Sequence, residues 1–265
     1  MNKFVLCASA CFGLFLAACG DDGSPAKPSL EDSSSSSFTK LSSSTIVEQS
    51  SSSVILSSSS APLSEVDGSI TDSRDGQSYK VVSIGSQTWM AQNLNYETAN
   101  SYCYNDDATN CTKYGRLYTW AAAMDSVGTW STNGKGCGDG LTCSPTYPVR
   151  GVCPTGWHLP TETEWNTLFT TVGGSSNAGI MLKSTSGWSS SGNGTDAYLF
   201  SALPADRRTD NGRSRNEGKL AYFWSSTENN SSYAYYMYLY YDFDYAALVN
   251  DLKSYGLSVR CVKDE

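Results

Sequence analysis

"CPTGWHLPTETEW" (residues 153–165) decides how this chain is read. Thr161 and Glu164 stand at the spacing of a capping box, in which the threonine hydroxyl accepts from the third helical amide and the glutamate reaches back to the cap amide. Pro160, just before the cap, is placed to pack on Trp165. Trp165, Leu168, Phe169 and Val172 then recur on one stripe, and Gly173 and Gly174 end the run. A helix is therefore expected from residue 161 onward. The same stretch holds the single histidine of the chain, His158. Catalysis or metal ligation by His158 needs a partner, and no nucleophile signature or ligand spacing accompanies it. It is expected to be a hydrogen-bonded piece of scaffold, and Glu164 to be occupied as a cap rather than free as a general acid.

Toward the amino terminus, "MNKFVLCASACFGLFLAACG" has one positive residue, an apolar run too short for a bilayer, and small residues before Cys19. Its ending, Leu16-Ala17-Ala18-Cys19, resembles the bacterial lipobox. That resemblance implies a signal over residues 1–18, removed with Cys7 and Cys11, and a lipidated Cys19 that anchors the chain to a bacterial membrane. Gly20 after the cysteine fits delivery to the outer membrane or cell surface, with the periplasmic side as the other placement. Residues 19–65 carry serine runs at 33–37, 42–44, 50–53 and 57–60. Such a segment buries too little apolar area to offset chain entropy, so a disordered tether with a reach of about 40 Å is expected.

Residues 66–265 are aromatic-rich and punctuated by glycine, and long enough for one sizeable core. The formal charge of the chain is −8 with no basic run, which argues against nucleic acid as a partner. Six cysteines fall in this region: Cys103, Cys111, Cys137, Cys143, Cys153 and Cys261. An even count in an exported domain reads as disulfides, although six allow fifteen connectivities. Proximity favours Cys103–Cys111 and Cys137–Cys143 as loop staples, which leaves Cys153–Cys261 as a long tie.

Periodicity supplies the remaining elements. Residues 75–96 alternate and turn at Gly85-Ser86, the pattern of a hairpin. Leu117, Trp120, Ala121 and Met124 predict a helix within 113–127, ended by Gly128. A short strand is expected at 197–202, another at 219–228, and two or three more after 231, the last over 257–262 with Cys261 inside it. Antiparallel and mixed strands with two helices, long loops and disulfide staples make an α+β domain.

"DSRDGQSYKVVSIGSQTWMAQNLNY", "KYGRLYTWAAAM", "VCPTGWHLPTETEW", "FWSSTEN" and "YGLSVRCVKD", in this order, resemble the Fibrobacter succinogenes major paralogous domain, across residues 69–264. More distantly, "GWHLPTETEW" and "GLSVRCV" are similar to blocks of formylglycine-generating-type domains. That likeness implies a C-type-lectin-like fold with terminal strands close together. The chemistry does not follow. Those enzymes use a pair of copper-binding cysteines, and only Cys261 stands near this carboxy terminus. The calcium signatures of sugar-binding lectins, "EPN" and "WND", are missing as well.

Four stretches remain as candidate sites. Asn105, Asp106 and Asp107, enclosed by Cys103 and Cys111, offer oxygens for a structural Ca²⁺ or form a solvated Asx turn. "YDFDY" (241–245) and "ADRRTDN" (205–211) offer further carboxylates. Along the strand at 233–241, Met237 and Leu239 mark the core face. Tyr236, Tyr238 and Tyr240 share the opposite face, either as an aromatic platform for sugar rings or covered by a second layer. The expected function is a lipid-anchored, non-enzymatic binding domain for polysaccharide or an envelope protein. A structural cell-envelope protein without a small ligand is the alternative, and an enzyme of the formylglycine-generating type the third reading.

Overall fold

A computed structural model describes residues 66–265. The expected signal, the expected lipidation site Cys19 and the serine-rich segment lie outside the described residues. Strands β1 (Val66–Thr71) and β2 (Ser78–Ile84) pair antiparallel, and β2 turns back through Gly85 and Ser86 into β3 (Gln87–Met90). Gly85 sits at φ +64°, the left-handed conformation a two-residue hairpin turn requires. Along β2, Tyr79, Val81, Val82 and Ile84 are buried while Lys80 and Ser83 face out. Short strands β6 (Trp157–His158) and β11 (Val262–Lys263) complete a sheet of order β1-β2-β3-β11-β6. The two ends of the described region therefore meet in one sheet.

The second sheet has six strands. Its order is β4 (Ser101–Tyr102), β5 (Leu117–Tyr118), β10 (Leu257–Ser258), β7 (Leu220–Glu228), β8 (Tyr233–Tyr240) and β9 (Ala246–Leu252). Helix α3 (Glu162–Thr171) starts as expected, with both halves of the Thr161–Glu164 capping box formed and Trp165, Leu168 and Phe169 buried. It packs on α4 (Ser175–Leu182), a helix the periodicity did not mark, and on β7, β8 and β9. The result is an α+β domain with two sheets, few helices and three disulfides, paired Cys103–Cys111, Cys137–Cys143 and Cys153–Cys261 as proximity favoured.

Three expected elements are corrected. The helix within 113–127 is not one helix. α1 (Ala108–Tyr114) ends at Gly115, Leu117 and Tyr118 pair with Ser258 and Leu257, and only one turn, α2 (Trp120–Ala123), follows behind the Thr119 cap. Ladder pairing in the sheet overrides the helical spacing of Leu117, Trp120 and Met124, because burial satisfies both patterns equally. The strand at 197–202 reduces to a single bridge between Lys183 and Ala202. The final strand over 257–262 is split: β10 joins one sheet, β11 the other, and Cys261 lies between them, tied to Cys153.

The core divides along β7 and β8. Ala221 and Phe223 from β7, with Met237 and Leu239 from β8, pack under α3 and α4 against Trp165, Leu168, Trp188 and Phe200. Tyr222 and Trp224, with Tyr236, face the other way, onto Trp120, Leu257 and the Cys153–Cys261 bridge. Strands covered on both faces read as continuous apolar runs, which is the reason "LAYFW" and "YMYL" show no clean alternation.

Candidate functional site

β8 and β9 are joined by a turn that carries Tyr241, Asp242, Phe243, Asp244 and Tyr245. Its backbone is held from beneath by a buried lysine. Lys183, 2% exposed at the end of α4, donates to the carbonyls of Tyr240 (3.3 Å), Tyr241 (3.2 Å) and Phe243 (3.0 Å). Burial pulls the Lys183 ammonium below its ordinary pKa, with Asp244 and Asp242 opposing. The Ile180 amide donates to Asp244 O at 3.0 Å and the Tyr241 amide to Lys219 O at 2.8 Å. Gly179 of α4 lies directly against the carbonyls of Asp244 and Tyr245, where a Cβ would collide with them.

With the backbone fixed inward, the side chains stand outward as a row. The ring of Tyr240 lies 4.6 Å from Tyr241 and 4.9 Å from Phe243, and Phe243 stacks on Tyr245 at 4.7 Å with 17° between planes. Tyr245 meets Tyr238 edge-on at 6.2 Å, their hydroxyls 3.1 Å apart, and burial with that hydroxyl contact pushes the Tyr238 phenol up to about 12. Phe243 is 40% exposed, Tyr240, Tyr241 and Tyr245 are partly exposed, and Asp242 and Asp244 are open to solvent. Apolar ring faces beside free carboxylate acceptors form a surface on which a sugar ring can stack while its hydroxyls donate at the edge.

The expected tyrosine triplet is therefore divided. Tyr236 is 7% exposed and packs against Tyr222 (5.3 Å) and Trp224 (6.3 Å). It is core, because the middle of β8 is covered on both faces. Tyr238 and Tyr240 lie toward the strand end, where the cover stops, and join the aromatic row. Phe243 and Tyr245 enter it from "YDFDY", a stretch singled out for its carboxylates rather than its rings.

The acidic loop has a different structure. Asp107 caps α1, accepting from the Thr109 amide (2.9 Å) and hydroxyl (2.8 Å), which hold its carboxyl below the usual range. Asp106 pairs with Arg208 at 3.4 Å, and the Asn105 amide donates to Ser214 Oγ at 3.2 Å. The three residues turn to separate partners. Among the described residues, no three His, Cys, Asp or Glu side chains converge as a metal site. In "ADRRTDN", Asp206 is buried, accepts from the Arg215 amide at 3.0 Å, and is pushed up to about 7 by burial.

His158 has partners that spacing did not reveal. Its Nε2 lies 2.6 Å from Glu164 Oε1 and its Nδ1 2.7 Å from Asp264 Oδ1. Glu164 Oε2 meanwhile accepts the Thr161 amide (2.7 Å) and hydroxyl (2.8 Å), so the cap and the histidine share one carboxylate. Burial, the largest influence, disfavours the imidazolium, but the two hydrogen bonds and the two carboxylate charges outweigh it and raise the histidine pKa. Glu164 is lowered: burial opposes, and His158 and the Thr161 amide prevail. His158 is 5% exposed, with both ring nitrogens engaged. Asp264 is 106 residues away and arrives through the pairing of Val262 with His158.

A family model described as the Fibrobacter succinogenes major domain matches residues 82–263. No curated protein and no solved structure matches the chain.

Proposed function

The chain belongs to the Fibrobacter succinogenes major domain family, and we propose that it is a lipid-anchored bacterial protein displaying a non-enzymatic binding domain for polysaccharide. The aromatic row over the β8–β9 turn carries this reading. Tyr240, Tyr241, Phe243 and Tyr245 are presented on a backbone fixed by the Lys183 ammonium, so a ligand meets rings that need little ordering on binding. A C-type-lectin-like arrangement is part of the proposal, supported by the meeting of the terminal strands β1, β2 and β11 in one sheet. The engaged histidine supports the non-enzymatic part, since neither ring nitrogen is free to exchange a proton with a substrate. Three disulfides are consistent with an extracytoplasmic domain, and no helix among the described residues is long and apolar enough to cross a membrane. Anchoring is assigned to the acyl chain on Cys19.

The test is retention of the purified chain on insoluble cellulose and on a glycan array, with Tyr240→Ala/Phe243→Ala in parallel. Base- and ring-stacking surfaces lose about 1–3 kcal/mol per aromatic removed, so retention is expected to fall at least tenfold. Failure of the wild-type chain to bind any polysaccharide defeats the proposal, and leaves a structural envelope role as the better reading.

A further inference from the structure

A recess opens away from the aromatic row and shares none of its residues. It lies between β2, the segment 91–95 after β3, the last turn of α1 and the loop residues Leu199, Ser201 and Leu203, with a volume of about 400 Å³, in the range of small-ligand sites. Its floor is fixed. Asn93 is buried, donates to Tyr114 O at 2.8 Å and Ser258 Oγ at 3.2 Å, and accepts from Arg260. The Asn95 amide donates to the Tyr79 hydroxyl at 3.1 Å, and its carboxamide nitrogen to Gln77 Oε1 at 3.0 Å. Gly115, at φ +74°, lets α1 dock on this floor, since a Cβ there would lie 2.8 Å from both Asn93 Cβ and Leu94 O.

Two features of the recess identify what fits it. The chain has a formal charge of −8, yet no Asp or Glu lines the recess, and its charged lining side chains are Lys80 and Lys113. The nearby carboxylates face elsewhere: Asp75 accepts from the Gln77 side chain at 2.5 Å, and Glu217 meets Lys113 at 3.2 Å in a pair about half exposed on each side. The lining also keeps unused hydrogen-bonding groups. Among the described residues, the Lys80 ammonium, the Gln92 carboxamide nitrogen and the Thr112 hydroxyl carry no protein hydrogen bond, and Asn95 Oδ1 is buried without a partner. Two ammonium groups beside free amide and hydroxyl groups match a ring that bears one carboxylate and several hydroxyls.

We propose that this recess binds the carboxylated ring of an acidic polysaccharide, a uronate unit. Lys80 and Lys113 meet the carboxylate, Lys113 exchanging its exposed partner Glu217 for the ligand, and Gln92 and Thr112 take the ring hydroxyls. The choice of a sugar rests on the polysaccharide reading above; the place and the charge do not.

Calorimetric titration of the full chain with oligogalacturonate, and with a neutral cello-oligosaccharide of equal length, separates the two. Lys80→Gln/Lys113→Gln is expected to weaken oligogalacturonate at least tenfold and leave the neutral oligomer unchanged, whereas Tyr240→Ala/Phe243→Ala is expected to do the reverse. Wild-type affinity for oligogalacturonate should fall as salt is raised. Uronate binding that survives the double lysine substitution overturns the assignment. So does absence of uronate binding at millimolar concentration while the neutral oligomer still binds, which leaves the aromatic row intact as a site. Absence of binding by both oligomers overturns both.

Discussion

The acidic loop at residues 104–107 and the aromatic turn at 240–245 are built from similar materials and end as opposites. Each mixes aspartates with aromatics in a short connection, and each is fixed by contacts from other elements. In the acidic loop, the fixing is done by the side chains. Asp107 caps a helix, Asp106 meets Arg208, and the Cys103–Cys111 bridge closes the segment. In the aromatic turn, the fixing is done to the main chain, by Lys183 from below. Its rings and carboxylates are left over. A candidate binding surface is thus marked less by residue type than by which atoms local structure has already engaged.

The strongest way to break this contrast is to remove the lysine. Lys183→Met takes the ammonium from three carbonyls, of which Tyr240 O keeps the Phe243 amide at 3.2 Å, and is expected to cost about 2–3 kcal/mol in urea unfolding. It should also release the rings from register, so that sugar retention drops with Tyr240, Tyr241 and Phe243 all still present. Retention equal to wild type would show that the turn does not need its support.

A smaller effect is expected at the histidine clasp, which represents the inward extreme. His158→Gln should cost about 1–3 kcal/mol where both carboxylates are charged and the imidazole is protonated. The sign of the pH dependence follows from the two shifts. The raised His158 stabilises the fold fully below its unfolded value near 6.5 and loses that contribution as pH rises through the folded value. The lowered Glu164 contributes above about 4.5 and loses it as pH falls. The cost of the substitution is therefore greatest between about pH 4.5 and 6.5 and shrinks as pH rises through the raised folded value of His158. A cost independent of pH would sink the doubly bonded imidazolium.

The smallest effect sharpens the other side of the comparison. Asp107→Ala removes one helix cap and is expected to cost about 1 kcal/mol, with sugar retention unchanged. Thermal melts with and without millimolar calcium test the same loop: a rise in melting temperature that Asp107→Ala abolishes would return it to the list of cation sites.

Much of the frame was legible from the chain alone. The capping box, the Gly85 hairpin and the strand at 219–228 are set by residues close in sequence, where hydrogen-bond geometry and backbone conformation leave few choices. Local signals misled where two patterns coincide. "LYTWAAAM" satisfies a helical stripe, but Leu117 and Tyr118 pair with β10, and only that partner strand decides between two patterns that burial would satisfy alike. The split of 257–262 between two sheets has the same origin.

The sequence by itself determined the family, the α+β class, the cysteine pairing that proximity favours, and the place of Met237 and Leu239 in the core. Tertiary structure alone decided that Tyr236 is covered while Tyr240 is not, that Lys183 reaches the turn from another element, and that Asp264 closes on His158 from 106 residues away. The division has one physical cause. Short-range geometry is encoded by neighbouring residues, whereas the burial of a side chain depends on what distant chain comes to lie over it.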